Sequence, residues 1–428
     1  MLVPVIRLLV MRSTEIVESY SSLVSRVLAS TPVQDVHTHL YDPSMGDLLL
    51  SGIDEQLVYH YLVSEAFRQM DVSYDRFWQA SKTEQAEFVW QALFVDHSPV
   101  SESCRGVITT LNRLGIEPRK NDLPGLRQWY AQQEPGDFTD RVLKLANVQS
   151  ICMTNSPFDG TERHYWDRGF ARDPRFKAAL RIDSLLLDWK NAAGTLRGMG
   201  YAIDGALNAV NASEARRFLA DWTLKIGSRY CMVSLPPGFR YPSETPESFL
   251  IDQAVLPHCR EHNQSFALMM GVKRAVNPQL RMAGDGVGRS DLQALENLCA
   301  MNPDNRFLVT CLSRENQHEL VVLARKFRNL HVFGCWWFTN TPQLITELTT
   351  MRLELLGTSF TPQHSDARVL DQLIYKWDHS RQIIAECLAK RYEGLAAGGW
   401  CVTEEEVRRD CAELMGGGFE RFVTGVKD

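Results

Sequence analysis

The 428-residue chain has no run of lysine or arginine, no Cys-x-x-Cys, no Gly-x-Gly-x-x-Gly after an early apolar run, no internal repeat and no Pro/Ser-rich linker. Each absence removes a class of reading. With no basic patch and a net charge of -6, the chain offers no electrostatic footprint for nucleic acid or for an anionic membrane surface. Its ten cysteines fall at irregular spacings, several inside apolar runs. They read as reduced core residues of a cytoplasmic protein and not as a disulfide framework. No apolar stretch is long enough to span a bilayer. The opening MLVPVIRLLV is broken by Arg7 and lacks a basic leader and a small-residue cleavage site. It reads as a disordered or docked tail, or as residues upstream of a start at Met11, and not as a signal peptide.

What is present is the composition of a soluble globular protein, 44% hydrophobic and 23% charged. Short apolar runs, several rich in β-formers, recur at 33–39, 148–154, 178–183, 231–235, 266–272, 306–312, 330–336 and 353–360. Several are nearly continuous, as suits strands buried on both faces of a parallel sheet. Helix-like stretches such as 290–301 and 314–328 lie between them. Eight alternations of β and α predict an α/β fold, a distorted (β/α)8 TIM barrel, forming one unit over 1–428. The interval 41–147 breaks the rhythm. It is aromatic and charged, with Trp78, Trp90 and Trp129, and is too long for a bare loop. It predicts a helical insertion after strand 1, on the face where barrel active sites form. The stretches 369–395 and 403–422 predict helices after strand 8.

Candidate chemistry clusters at the predicted C-terminal strand ends. In Asp35-Val36-His37-Thr38-His39 the two histidines are two residues apart, so both point to one face of the strand. Two imidazoles aimed at one point begin a divalent-metal site. After strand 8, His364-Ser365-Asp366-Ala367-Arg368 supplies a carboxylate that can be a metal ligand, a general base or both; alternatively Ser365 or Asp366 caps the following helix. Arg368 is a substrate contact or a solvated helix arginine. Arg181, in Arg181-Ile182-Asp183 at the end of strand 3, suits bidentate capture of a carboxylate, or a structural ion pair with a neighbouring acid. His60-Tyr61 sits at helical spacing in the insertion and on pattern alone reads as packed. Trp336-Trp337 ends strand 7, and on pattern alone reads as core, though such a pair can wall a sugar site. Ser313-Arg314-Glu315-Asn316 is polar lining or a helix cap.

A binuclear hydrolytic site on such a barrel needs a Lys after strand 4 and His on strands 5 and 6. Here those runs read CMVSLPP, FALMMGVKR and RFLVTCLSR. At most His37, His39 and Asp366 remain for one metal, a poor base for a bridging hydroxide.

The segments VQDVHTHLYDP, AALRID, RFLVTCLSRENQHELVVLARKF, VFGCWWFTN and LGTSFTPQHSDARVL together resemble the uronate (glucuronate) isomerase family of the amidohydrolase superfamily. The resemblance runs from about Met11 to the C-terminus. It implies aldose–ketose isomerisation, D-glucuronate to D-fructuronate and D-galacturonate to D-tagaturonate, by proton transfer between C2 and C1. It implies His37, His39 and Asp366 as metal-site residues, Asp366 as the proton-transfer base, and Arg181 and Arg368 as substrate contacts. His60 and Tyr61 match the family's His-Tyr pair from the insertion, and Trp336 and Trp337 the aromatic pair beside the sugar. Where typical members read His-Ile-Gly on strand 5, this chain reads Met269-Met270-Gly271, as in one bacterial branch. The implied cofactor is therefore one divalent metal, zinc by expectation, weakly held or not essential. The implied partners are a small uronate substrate and, as for many such barrels, further copies of the chain. Two rivals stand beside this reading. One is a metal-dependent hydrolase or decarboxylase of the same superfamily, disfavoured by the depleted ligand set. The other is a non-catalytic sugar-acid binding protein, disfavoured by the intact His-x-His and Ser-Asp-Ala-Arg.

Overall fold

The computed structural model describes residues 18–119 and 122–425; the apolar opening and Met11 lie outside them. The strands, in chain order, are β1 (Val33–Thr38), β2 (Val148–Asn155), β3 (Phe176–Arg181), β4 (Ser228–Leu235), β5 (Ser265–Met270), β6 (Val272–Lys273), β7 (Gly286–Val287), β8 (Arg306–Cys311) and β9 (Leu330–Val332). Seven of them form one parallel sheet in the order β1-β2-β3-β4-β5-β8-β9, while β6 and β7 pair with each other, antiparallel. Nearly every sheet residue is buried, because helices cover the outer face and side chains fill the inner one. The result is an α/β fold built on a curled parallel half-barrel.

Seven of the eight expected runs are strands. The eighth is not: within 353–360, Leu353 belongs to the helix Pro342–Leu356, which ends at Gly357 with φ 64°. A continuous apolar run does not by itself separate a buried strand from a buried helix. The upstream spacing Ile345, Leu348, Thr349, Arg352, all buried, is the i, i+3, i+4, i+7 stripe of a helix. Only Phe360 onward reaches the sheet. Thr361 bridges Phe333 in parallel, and its N–H donates to the Val332 carbonyl at 3.0 Å. A few residues on, the Asp366 N–H donates to the His37 carbonyl at 3.2 Å, and the His39 N–H to the Ala367 carbonyl at 2.8 Å. The segment 361–367 thus touches both edges of the sheet, β9 and β1.

The interval between β1 and β2 is helical, including Ile53–Leu57, His60–Ala66, Lys82–Trp90, Glu102–Arg113 and Pro135–Ala146. Trp78, Trp90 and Trp129 pack half-buried on the main core. After 361–367 comes the long helix Gln372–Ala397. It begins three residues later than the spacing suggests, because the Gln372 side chain accepts from the N–H groups of Arg368 and Val369. The C-terminal helix Gly418–Thr424 inserts Phe419 and Val423 among inner residues of the sheet, such as Tyr230 and Phe333. All ten cysteines are unpaired and nine are buried. Among the described residues, no helix is long and apolar enough to cross a membrane.

Candidate active site

Strand alternation puts His37 and His39 on the same side at the C-terminal end of β1. The turn after Thr361 brings Asp366 against them. The Asp366 Oδ1 atom lies 3.4 Å from the Nε2 atoms of both histidines. That distance exceeds an aligned hydrogen bond, and Asp366 Oδ1 and His37 Nε2 have no hydrogen-bond partner although both are buried. Asp366 is held there by its backbone. It is a non-glycine residue at φ 51°, a conformation that only short polar side chains tolerate at modest cost. Asp35 locks the turn: its Oδ1 accepts from the Ser365 N–H at 3.1 Å and its Oδ2 from the Trp377 indole at 2.9 Å.

The electrostatics favour a neutral His39 imidazole facing an ionised carboxylate. Burial, reinforced by the Arg368 guanidinium, pushes His39 down to about 3 against the opposing pull of Asp366. Its Nδ1 lies 3.0 Å from the Thr154 hydroxyl, which leaves Nε2 turned toward Asp366. Burial pushes the Asp366 carboxyl up, but the two imidazoles outweigh it and hold it well below the usual carboxylate range. Two imidazole nitrogens and a carboxylate oxygen, all within 4.8 Å of one another, with Asp366 Oδ1 and His37 Nε2 unpartnered, fit a divalent cation. No histidine comes from β5. Met269 stands buried there, in the same apolar cluster as Val36 and Trp336.

His39 and Arg368 open onto a cavity of about 720 Å³, walled also by Tyr59, His60, Arg181 and Glu162. The Arg368 Nε is buried without a partner. Arg181 forms the ion pair that its sequence position allowed, its Nε 2.7 Å from Asp183 Oδ2, yet still faces the cavity. Asp183 is anchored in turn by the Ser234 N–H at 2.8 Å. Also lining the cavity, the Glu162 carboxyl is raised by burial to about 7, against the pull of hydrogen bonds from Ser156 and Trp166.

Compared with solved structures, the chain superposes on a uronate isomerase from Bacillus halodurans C-125 with a TM-score of 0.94 and 50% sequence identity, over 96% of this chain and 98% of that one. The chain belongs to the uronate isomerase family. More distant matches, a uronate isomerase from Thermotoga maritima (TM-score 0.77, 14% identity, 94% and 97% covered) and a glucuronate isomerase from Caulobacter crescentus (0.74, 14%, 96% and 94%), share the fold. No protein-family model matches the chain, and no curated protein does.

Placed in a uronate isomerase family fold, the expected residues divide into two groups. His37, His39 and Asp366 meet, and His39, His60, Arg181 and Arg368 share the larger cavity. Tyr61 and Trp337 line a second, smaller cavity. Trp336 is 4% exposed and lies in the inner apolar cluster. Ser313 is a cap, its hydroxyl accepting from the Glu315 N–H. Sequence reasoning missed Tyr59, whose buried hydroxyl has no partner and whose ring lies 4.2 Å from that of His60. It also missed His364, packed 4.9 Å from His37, and Lys376, which burial pushes down to about 8. The motif HSDAR named His364's neighbours, and burial of a lysine mid-helix leaves no sequence mark.

Proposed function

We propose that this chain is an aldose–ketose isomerase of uronates, converting D-glucuronate to D-fructuronate and D-galacturonate to D-tagaturonate. The observation that carries the reading is the convergence of the His37 and His39 imidazoles and the Asp366 carboxylate beside a cavity lined by three arginines, Arg181, Arg281 and Arg368, in a chain half identical to a uronate isomerase. The open-chain uronate has an acidified C–H at C2, next to the aldehyde. Asp366, ionised, takes that proton, leaving a cis-enediolate with its negative charge on O1; the hydroxyl proton passes from O2 to O1, and Asp366 returns its own proton to C1 as the carbonyl forms at C2, one carboxylate reaching both adjacent carbons. Arg368 balances negative charge on the enediol oxygens, and its unpartnered Nε supports that role. Arg181 holds the carboxylate at the far end of the sugar. His60 and Tyr61 move a proton to and from the ring oxygen as the cyclic form opens, with Trp336 and Trp337 backing them. His37, His39 and Asp366 would hold a divalent ion, zinc in our reading, which would supply fixed positive charge. With Met269 in place of a further nitrogen ligand, they would hold it weakly.

The same reading takes the half-barrel as a (β/α)8 barrel of one unit over 1–428, with 361–367 standing for the eighth strand and 41–147 as an insertion. The two-sided hydrogen bonding of 361–367 supports it. Its partners are the uronate and other copies of itself, and its nine buried free thiols suit a reducing cytoplasm. The test is incubation with D-glucuronate and with D-galacturonate, following ketose formation, before and after chelation and zinc add-back. Unchanged uronate in every arm would overturn the proposal.

A further inference from the structure

Behind Tyr61, away from His39, lies a second cavity of about 220 Å³. Its distinguishing feature is an excess of hydrogen-bond donors. Lys376, on the helix Gln372–Ala397, is 4% exposed, lines this cavity, and makes no hydrogen bond or ion pair with its side chain among the described residues. Its ammonium lies 5.7 Å from the centroid of Tyr61 and 5.5 Å from that of Tyr375, and the carboxylates of Asp366, Glu102 and Asp35 act on it through space without pairing with it. The Trp337 side chain, 8% exposed, lines the same cavity, and its indole N–H is buried without an acceptor. An indole N–H can only donate.

Asn340 completes the set, and its orientation is dictated from behind. The Gln363 side-chain oxygen accepts from the backbone N–H groups of Cys335 at 3.1 Å and His364 at 3.0 Å. The Gln363 amide nitrogen must then donate, and it does so to Asn340 Oδ1 at 3.1 Å. That leaves Asn340 Nδ2, a donor, buried and without a partner. The Tyr61 hydroxyl is likewise buried and unpartnered. The one acid on the wall, Glu102, is already satisfied by His379 Nδ1 at 2.6 Å and Arg105 at 3.2 Å. A buried ammonium and several unmet donors are costly unless an acceptor joins them.

We propose that this cavity binds a small oxyanion, a carboxylate or phosphate group, between the Lys376 ammonium and the donors of Trp337 and Asn340. The cavity shares no lining residue with the larger one, though the proposed isomerisation also uses Tyr61 and Trp337; anion binding by Lys376 and Asn340 does not depend on that reading. Calorimetric titration of the full-length protein with sodium phosphate, and separately with sodium acetate, tests it and tells which anion is preferred. Saturable binding of either ion is expected, weakened at least tenfold in Lys376→Met. Asn340→Ala, at a half-buried position, guards against a misfolded Lys376 variant and is expected to weaken binding severalfold. Arg368→Met is expected to leave it intact. Absence of saturable binding of both ions would overturn the proposal. So would binding that survives in both Lys376→Met and Asn340→Ala, or that is lost only in Arg368→Met, which would put the ion in the larger cavity.

Discussion

Asp366 is aimed by a backbone torsion and not by hydrogen bonds to its carboxylate, so its Oδ1 stays unengaged. Asp366→Asn keeps the left-handed conformation, which asparagine tolerates, and removes only the base. Turnover of D-glucuronate is expected to fall about 10²–10⁴-fold, while calorimetry shows uronate binding largely retained; full activity would remove Asp366 from the chemistry. Arg181→Met is expected mainly to raise KM, since a carboxylate clamp acts in ground and transition states alike. An unchanged KM would leave only the Asp183 ion pair as its role. Gly334 has φ +72°, and a Cβ there would lie 1.9 Å from His364 Cδ2. Gly334→Ala should cost about 2–5 kcal/mol in denaturant unfolding. At this scale the sequence was most legible where chemistry and spacing coincide: His37 and His39, two apart on a strand, could be read directly. Tyr59, His364 and Lys376 could not, because their burial comes from packing between segments far apart in the chain.

Single side chains also join whole elements. Asp35 ties β1 at once to the turn at Ser365 and to the helix Gln372–Ala397 through Trp377. Asp35→Ala orphans two buried donors at about 1–3 kcal/mol each, offset in part because burial itself opposes the Asp35 charge. Net destabilisation is expected, with zinc affinity lost before the fold is. Glu162 anchors the start of the loop after β2 through the Ser156 N–H. Its folded pKa, about 7, lies above the ordinary 4.5, so the folded state binds the extra proton. Its contribution to stability therefore falls as pH rises from about 4.5 to about 7, by up to about 1.4 kcal/mol per pH unit. Unfolding of Glu162→Gln across that range should show a shallower pH slope; an identical slope would refute the assignment. Seven strands were legible as apolar runs. The run at 353–360 was misread because Leu353 and its neighbours are apolar in either state, and the deciding stripe, Ile345 to Arg352, lies upstream of it. The two-residue strands β6 and β7 left no periodic signal at all.

At the scale of the molecule, His37, His39 and Asp366, which could hold a metal ion, join the β1 edge of the sheet to the segment 361–367, so binding there and global stability would be linked. Zinc at one hundred times its dissociation constant should stabilise the fold by about 2.7 kcal/mol, seen as a rise in Tm that vanishes in His37→Ala. A Tm indifferent to zinc would leave the three residues as a purely protein-borne site. The alternation of β and α made the overall class legible, whereas the closing contact between 361–367 and β1 was not, since it rests on backbone hydrogen bonds that any sequence can make. That contact has a temporal consequence. Ser365 and Asp35, which bond across the seam, stand 330 residues apart, so a ribosome must add that whole intervening stretch before the histidines meet their carboxylate. A cation that needs all three ligands would therefore be captured only once residue 366 has been made, and a polypeptide stopped before it carries only the imidazole half of the site.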